Sequence, residues 1–359
     1  MNTSNSQTKI IDIPHKYCEN ACMVNGLEDL YVWKSGHDIP DYLLYYTGGM
    51  VGFTYVKNKK EAIPNTVYWG NGLGKKMFAF LSDIIGYTWK MKEGGSFKNA
   101  LRNVKRCIDN DVPVVFGKVD IFYLPYYQKY YHKHHIPAHF VLAVGYSDVE
   151  EKIYVNDCGR EKMQSIPYSE LELAWKVKIK GICKEYRYFT FQFSDEIASP
   201  KMILKSGLKK KAEFNLNPPV SLFGLKAMQR FANDFTSWKK EMPEEQFQKC
   251  LLHLIEFAGS YVPVLPTQLS QIPLKEEMNV HKGGRDRFAI FLRESGAKYD
   301  LPQLNGASLL FTVSGELIQD MVDILVDFLM KRKTNLLQIP DIMNEVINIE
   351  AKAFQLLKQ

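Results

Sequence analysis

The most informative stretch of the chain is HFVLAVGYSDVEEKIYVNDCG, residues 139–159, in which two apolar runs flank a polar centre. Both runs are rich in β-branched and aromatic residues, which is typical of strands, and the polar segment between them predicts a turn. If the chain turns near residue 149, the residue opposite His139 is about residue 159, so Asp157 lies within one diagonal step. The pattern therefore predicts an imidazole and a carboxylate side by side at one end of a hairpin.

The segments around this hairpin predict a mixed domain followed by a helical one. SFKNALRNVKRCIDND (96–111) has apolar residues at helical spacing, whereas VPVVFGKVD (112–120) and YRYFTFQF (186–193) read as strands. Beyond about residue 215, helical periodicity dominates. We therefore expect an α+β protein with a catalytic domain at 1–200, a basic linker at 201–214 and a helical domain at 215–359.

Composition places the chain among ordinary globular proteins. It has 359 residues, 46% hydrophobic and 24% charged, with no apolar run of membrane-spanning length and no secretory signal at its start. Six cysteines are too few for a disulfide scaffold of this size, so we expect reduced thiols and a cytoplasmic location. The net charge of +6 is modest, and no nucleic-acid recognition motif accompanies it. The basic run at 201–214 is either a solvated linker or a patch for an acidic partner.

A pair of cysteines near the N-terminus supplies the candidate nucleophile. In PHKYCENACMVNGL (14–27), Pro14 disfavours helix, so we expect the first helix to begin near Cys18. A thiol at a helix start is favoured as thiolate, whereas Cys22, one turn deeper, is expected to pack as a small apolar residue. Together with His139 and Asp157, Cys18 predicts a Cys-His-Asp triad.

Other interpretations of these residues remain open. His139 could be a satisfied histidine at a strand end, with Asp157 starting a turn. A zinc site could combine Cys18 and Cys22 with a histidine of the 132–135 cluster, although structural zinc sites usually need four well-spaced ligands. We therefore predict no metal and no resident cofactor.

Several motifs taken together resemble the family of butirosin biosynthesis acyltransferases, and more broadly papain-like cysteine enzymes of the bacteriocin-leader-peptidase type. The matching segments are HKYCENACMVNGL (15–27), YYTGGMVGFTY (45–55), VPVVFGKVDIFYLPYY (112–127), HFVLAVGYSD (139–148), FGLKAMQRFANDFTSW (223–238) and GGRDRFAIFLRESG (283–296). The papain-like enzyme type that joins acyl chains to a diamine in closthioamide assembly is also similar. The resemblance implies a papain-like fold with a helical companion domain.

The resemblance also implies a reaction and its partners. An acyl group would pass from the phosphopantetheine thioester of an acyl or peptidyl carrier protein to Cys18, and then to an amine or diamine, forming an amide in natural-product assembly. His139 would be the base and Asp157 the orienting acid. Neither nucleic acid nor a membrane is expected as a partner, and homo-oligomerisation stays open.

The remaining site residues are weaker expectations. Papain-type enzymes place a glutamine about six residues before the nucleophile as an oxyanion donor, but here that position holds Asp12, which cannot donate as a carboxylate. The Cys18 N–H, His15 or an amide near Gly49 could donate instead. Asp120 could bind the ammonium of the acceptor or could be a structural cap. Tyr123 and Tyr126 could wall a dry channel, or lie in an exposed loop.

Two rival functions use the same residues. A peptidase or amidase would hydrolyse its substrate with the same triad once water enters. A catalytically degenerate domain would bind a carrier protein or metabolite without reacting, and the missing glutamine favours that reading.

Overall fold

The computed structural model describes residues 7–19, 21–70, 75–180, 182–259, 282–332 and 334–359. The strands are β1 (Thr8–Ile10), β2 (Met50–Lys57), β3 (Asn65–Gly70), β4 (Tyr87–Lys92), β5 (Val114–Val119), β6 (His139–Ser147), β7 (Lys152–Asn156), β8 (Gln164–Pro167) and β9 (Tyr188–Phe193). The α-helices are α1 (Leu27–Ser35), α2 (Leu43–Thr47), α3 (Lys75–Ile85), α4 (Phe97–Asp109), α5 (Tyr168–Ala174), α6 (Pro200–Leu216), α7 (Gly224–Phe235), α8 (Trp238–Glu241), α9 (Glu244–Gly259), α10 (Arg285–Tyr299), α11 (Gln303–Leu329) and α12 (Ile339–Leu357). Single 3₁₀ turns occupy Cys22–Val24, Ile121–Tyr123, Lys282–Gly284 and Leu336–Gln338.

These elements form two compact units. The first contains Met1–Tyr45 and Leu73–Ile203, and the second contains Tyr46–Gly72 and Leu204–Gln359. With an antiparallel sheet in one unit and a mainly helical other unit, the fold class is α+β, as the sequence predicted.

In the first unit, the described strands form a seven-stranded antiparallel sheet. The strand order is β4-β9-β5-β6-β7-β8, and β1 also pairs with β6. Every residue of β5 and β6 is buried, which explains why both read as near-continuous apolar runs rather than alternating ones. The β6–β7 hairpin pairs Leu142 with Asn156, a register that extends to His139 opposite residue 159, as expected.

Gly26 lets the first helix approach this sheet closely. It has a φ of +82° and separates the 3₁₀ turn Cys22–Val24 from α1. A Cβ at this position would lie 2.8 Å from Val115 Cγ2 and 2.9 Å from Leu142 Cβ. A residue without a side chain is therefore required here on both conformational and steric grounds.

In the second unit, the β2–β3 hairpin packs into a helical core. The inward-facing rings of Phe53 and Trp69 meet edge to face at 5.0 Å, and Phe53 also contacts Phe231 of α7. The same core includes apolar residues of α9, α11 and α12. Alternating burial along β3 places Val67 and Trp69 on this one face.

A buried ion pair crosslinks the helices of the second unit. Arg285 Nε and Glu350 Oε1 are 2.8 Å apart, and neither side chain is exposed. Arg285 also donates to Glu350 Oε2 and to the carbonyl oxygens of Gly283 and Gly52. Because its donors and the carboxylate are so fully engaged, loss of either partner would strand a buried charge.

The domain boundaries expected from the sequence need two corrections. Residues 46–72 fall within 1–200, yet they belong to the helical unit because the aromatic face of the β2–β3 hairpin is buried against helices. Residues 201–214 form most of α6 rather than a linker, and apolar residues spaced along them, such as Ile203, Leu204, Leu208 and Ala212, are buried. In the described part of the chain, no helix combines the length and apolarity needed to cross a bilayer.

Candidate active site

His139 and Asp157 meet where β6 begins and β7 has just ended. His139 Nε2 lies 2.8 Å from Asp157 Oδ2, and both side chains are almost fully buried, with exposures of 4% and 0%. The structure therefore brings together the two residues that the hairpin argument placed side by side.

Asp157 is held by further donors, which the sequence reading did not foresee. Tyr126 Oη donates to Oδ2 at 2.9 Å, and Tyr127 Oη donates to Oδ1 at 3.1 Å. Asn25 Nδ2 reaches Oδ1 at 3.3 Å and the Gly159 amide reaches it at 3.4 Å. Both oxygens are thus satisfied, which stabilises the charged form of a carboxylate that water does not reach.

The surroundings of His139 and Asp157 favour the charged form of both side chains. Burial opposes ionisation of Asp157, but the imidazole of His139 and the surrounding donors hold the pKa of the carboxyl below its usual range. Burial likewise lowers the pKa of His139, but Asp157 and, to a smaller extent, Cys22 outweigh this effect and raise the pKa to about 10. At neutral pH the site therefore contains an imidazolium beside a carboxylate.

Cys22 is the cysteine whose thiol acts on the pKa of His139, helping to raise it. The Nε2 edge of the ring faces Asp157, which leaves Nδ1 for a thiol partner. Cys22 is only partly buried, and its N–H, at the first position of a 3₁₀ turn, has no acceptor within that turn.

Cys18, the expected nucleophile, lies in a different setting. The first helical turn begins at Cys22, not near Cys18, and α1 begins at Leu27. Cys18 is 2% exposed, and burial, reinforced by the Glu28 carboxyl, raises its pKa well above the ordinary range. Its N–H donates to the Cys158 carbonyl at 2.9 Å and is therefore not a free oxyanion donor.

The sequence contained a signal for this correction. Asn25–Gly26 is a turn dipeptide, and it lies inside the helix that the periodicity suggested from Cys18 onward. A helix break at this dipeptide is consistent with the short turn Cys22–Val24, which ends just before it. Nothing comparable in the sequence marks Tyr127 or Asn25, whose proximity to Asp157 comes from tertiary packing.

His15 is engaged in a neighbouring polar network. Its Nδ1 lies 2.9 Å from Asp29 Oδ2, and its Nε2 donates to the Arg160 carbonyl at 2.7 Å. Both ring nitrogens are therefore occupied, which argues against the expected oxyanion role. Burial lowers the pKa of His15, but Asp29 raises it above the ordinary value on balance.

Asp120 and Tyr123 do not join the cluster around His139. Asp120 accepts hydrogen bonds from the amides of Phe122 and Ile136, at 3.1 and 2.8 Å, and its second oxygen lies 2.7 Å from His135 Nδ1. Asp120 is therefore a structural cap, which was one of the two roles expected from the sequence, rather than an open binding site for the ammonium group of the acceptor. The Tyr123 ring packs on Phe122 and two histidines of the 121–135 loop.

Gly49 belongs to the second unit. It precedes β2 with a φ of +127°, a conformation that favours glycine. Cys18, Cys22, His139 and Asp157 all lie in the first unit. Among the described residues, no three histidine, cysteine or acidic side chains form a group that could hold a metal ion.

Two protein-family models match the chain. The model described as butirosin biosynthesis protein H, N-terminal, matches residues 21–158, and a domain of unknown function (DUF4872) matches residues 169–259. No curated protein matches the chain. The first match includes Cys22, His139 and Asp157 and begins three residues after Cys18. Residues 21–158 therefore form a domain similar to the N-terminal domain of butirosin biosynthesis protein H.

Proposed function

We propose that this protein is a cysteine-dependent acyltransferase of natural-product biosynthesis. It would move an acyl group from a carrier-protein thioester through a Cys22 acyl-enzyme to an amine, forming an amide. One observation carries the proposal: His139 is hydrogen-bonded to the buried carboxylate of Asp157, and the partly exposed Cys22 is the cysteine that acts on its pKa. The family named for butirosin biosynthesis protein H supports a biosynthetic role.

The resting site places a charged imidazole beside a thiol. Asp157 and its donors keep His139 protonated at neutral pH, so the ring can stabilise negative charge that develops on the Cys22 sulfur during the reaction. Cys18 lacks such a partner and is kept neutral by burial beside Glu28. The electrostatics of the two positions therefore favour Cys22 as the nucleophile.

The first step forms the acyl-enzyme. The Cys22 thiolate attacks the thioester carbonyl, and the negative charge moves to oxygen, where the Cys22 N–H can stabilise it. As the tetrahedral intermediate collapses, the bond to the pantetheine sulfur breaks and His139 donates its proton to the departing thiolate. The second step reverses these roles: a neutral amine attacks, His139 takes its proton, and the Cys22 thiolate leaves.

If Cys22 rather than Cys18 is the nucleophile, the sequence position expected to hold the second oxyanion donor also changes. The residue six places before Cys22 is Lys16, so the papain-type glutamine is replaced by a side chain that can donate rather than by Asp12. Lys16 Nζ lies 2.8 Å from Asp41 Oδ1, which anchors the ammonium. A side chain with donors at this sequence position supports a catalytic site over a degenerate binding domain.

Amide formation rather than hydrolysis depends on holding the amine and excluding water. The near-complete burial of His139 and Asp157 favours this outcome, because only Cys22 of the three is open to substrate. The carrier protein would bring the phosphopantetheine arm, and the enzyme would need no cofactor of its own.

Intact-mass spectrometry with an acyl-pantetheine thioester tests the proposal. We expect a one-acyl adduct in the wild type and in the matched control Cys18→Ala, and no adduct in Cys22→Ala. A small diamine should discharge the adduct as an amide much faster than water does. Discharge by water alone at the same rate would indicate a hydrolase, and the absence of any adduct would indicate a binding domain.

A further inference from the structure

Residues 128–135, which we call the cationic loop, carry positive charge beside the candidate active site. Their sequence, QKYYHKHH, contains two lysines and three histidines, and no acidic residue occurs at positions 121–138. Lys129 and Lys133 are both exposed. Within the described part of the chain, neither lysine pairs with a carboxylate: Lys133 Nζ donates to the Gln128 carbonyl at 3.2 Å, and Lys129 Nζ lies 5.5 Å from the centroid of a neighbouring tyrosine ring.

The backbone of the cationic loop is wound into turns rather than extended. The amide of Tyr131 donates to the Tyr127 carbonyl at 2.8 Å, and the amide of His134 donates to the Tyr130 carbonyl at 3.0 Å. These bonds join residues four apart, as in a helical turn, so the loop is short in space as well as in sequence.

Two carboxylates contact the cationic loop, and both bind its tyrosine and histidine side chains. Glu170 Oε1 accepts a hydrogen bond from Tyr131 Oη at 3.2 Å, and Glu170 Oε2 lies 3.4 Å from His132 Nε2. Asp120 Oδ2 lies 2.7 Å from His135 Nδ1. These contacts hold the loop in place and leave the charge of its two lysines uncompensated.

Both ends of the cationic loop are tied to His139. At the first end, Tyr127 Oη lies 3.4 Å from His139 Nε2, and Lys129 follows Tyr127 by two residues, which span at most ~7 Å. At the other end, His139 follows His135 by four residues, which span at most ~14 Å. An extended phosphopantetheine arm spans ~15 Å between its sulfur and its phosphorus at the same reach per bond. A phosphate at the far end of the arm therefore comes within reach of the loop when the thioester lies beside His139.

We propose that the cationic loop binds the phosphate of the carrier-borne phosphopantetheine arm. The inference rests on the proposed function and assigns a binding site to the far end of its substrate. Lysine binds phosphate as a point charge, and a cluster of unpaired cations raises the local concentration of an anionic substrate. With the phosphate held by Lys129 and Lys133, the acyl end of the arm reaches Cys22.

The test compares two thioesters on the full-length protein, an acyl-phosphopantetheine and the acyl-pantetheine that lacks only its phosphate. Intact-mass spectrometry follows acyl loading, and the initial rate at low thioester concentration gives a second-order rate constant for each substrate. We expect the wild type to prefer the phosphorylated thioester about tenfold, because the loop attracts its phosphate. In the double variant Lys129→Glu/Lys133→Glu, the ratio of the two rate constants should fall to about one or below.

Lys90→Glu/Lys98→Glu is the matched control, because these lysines are exposed on β4 and α4 and their replacement changes the net charge equally. The control should keep the preference of the wild type. Lys129→Gln/Lys133→Gln replaces the glutamate variant if the latter does not fold. A wild type without the preference, a loop variant that keeps it, or a control that loses it would overturn the inference. Failure of the proposed function has a different signature, namely no adduct on Cys22 from either thioester, and it would remove this inference as well.

Discussion

Replacing Asp157 with asparagine removes the anion that keeps His139 charged. A pKa raised from 6.5 to about 10 corresponds to about 5 kcal/mol of favourable interaction for the charged ring. Removing one partner of a buried ion pair costs about 3–5 kcal/mol in other proteins. We therefore expect Asp157→Asn to lower the free energy of unfolding by about 3–5 kcal/mol at pH 6 to 7.

This penalty should depend on pH with a defined sign. Because the pKa of His139 is raised on folding, the interaction contributes fully below pH 6.5 and is lost as the pH rises through about 10. The difference between wild type and Asp157→Asn should therefore shrink towards about 1 kcal/mol near pH 10, where only the lost tyrosine hydrogen bonds remain.

Urea unfolding between pH 6 and pH 10, followed by circular dichroism and tryptophan fluorescence, measures this difference. Asp195→Asn is the matched control, since Asp195 is exposed and its replacement should change stability by less than about 0.5 kcal/mol. A penalty for Asp157→Asn below about 1 kcal/mol at pH 7, or one that stays constant up to pH 10, would refute the ion-pair reasoning.

Two further changes test the packing of each unit. Gly26→Ala should destabilise the first unit by about 2–4 kcal/mol, which a lower Tm would reveal. The reason is that a Cβ would lie 2.8 Å from Val115 Cγ2, on a residue whose φ is positive. An unchanged Tm would contradict the described approach of α1 to the sheet. Glu350→Gln should lower the free energy of unfolding by about 3–5 kcal/mol, measured by thermal unfolding, because it leaves the buried Arg285 without its carboxylate. Glu345→Gln is the control and should be nearly neutral, because Glu345 is exposed. Equal effects of these two variants would show that the ion pair is not needed for stability.

The hairpin that carries His139 and Asp157 could be predicted because its information is local. Two strand-like runs and one polar turn fix a register, and that register fixes which side chains meet. The predicted neighbour of His139, near residue 159, agrees with the pairing of Leu142 and Asn156.

The predicted helix start near Cys18 was wrong for a different physical reason. Periodicity cannot locate a helix start to within one turn, and four residues separate the two thiols. The positive φ of Gly26 ends the 3₁₀ turn and sets the direction of α1. The contact of Gly26 with the sheet is long-range, so local periodicity does not reveal it.

Long-range packing also determines which unit the β2–β3 hairpin belongs to. The β2–β3 hairpin has the alternating pattern of a half-buried strand pair, and nothing in that pattern identifies which unit supplies the covering surface. The rings of Phe53 and Phe231, 5.9 Å apart, show that it is the helical unit. Likewise, the lysines of residues 201–214 suggested a solvated segment, while the apolar residues between them mark one face of α6.

We propose that the Cys22 sulfur, rather than the buried sulfur of Cys18 four residues earlier, carries the acyl group. The most direct measurement is to quench the reaction with an acyl thioester in acid, digest the protein, and assign the acylated residue by tandem mass spectrometry. We expect the acyl mass on Cys22 alone. An acyl group located on Cys18, with Cys22 unmodified, would contradict this proposal.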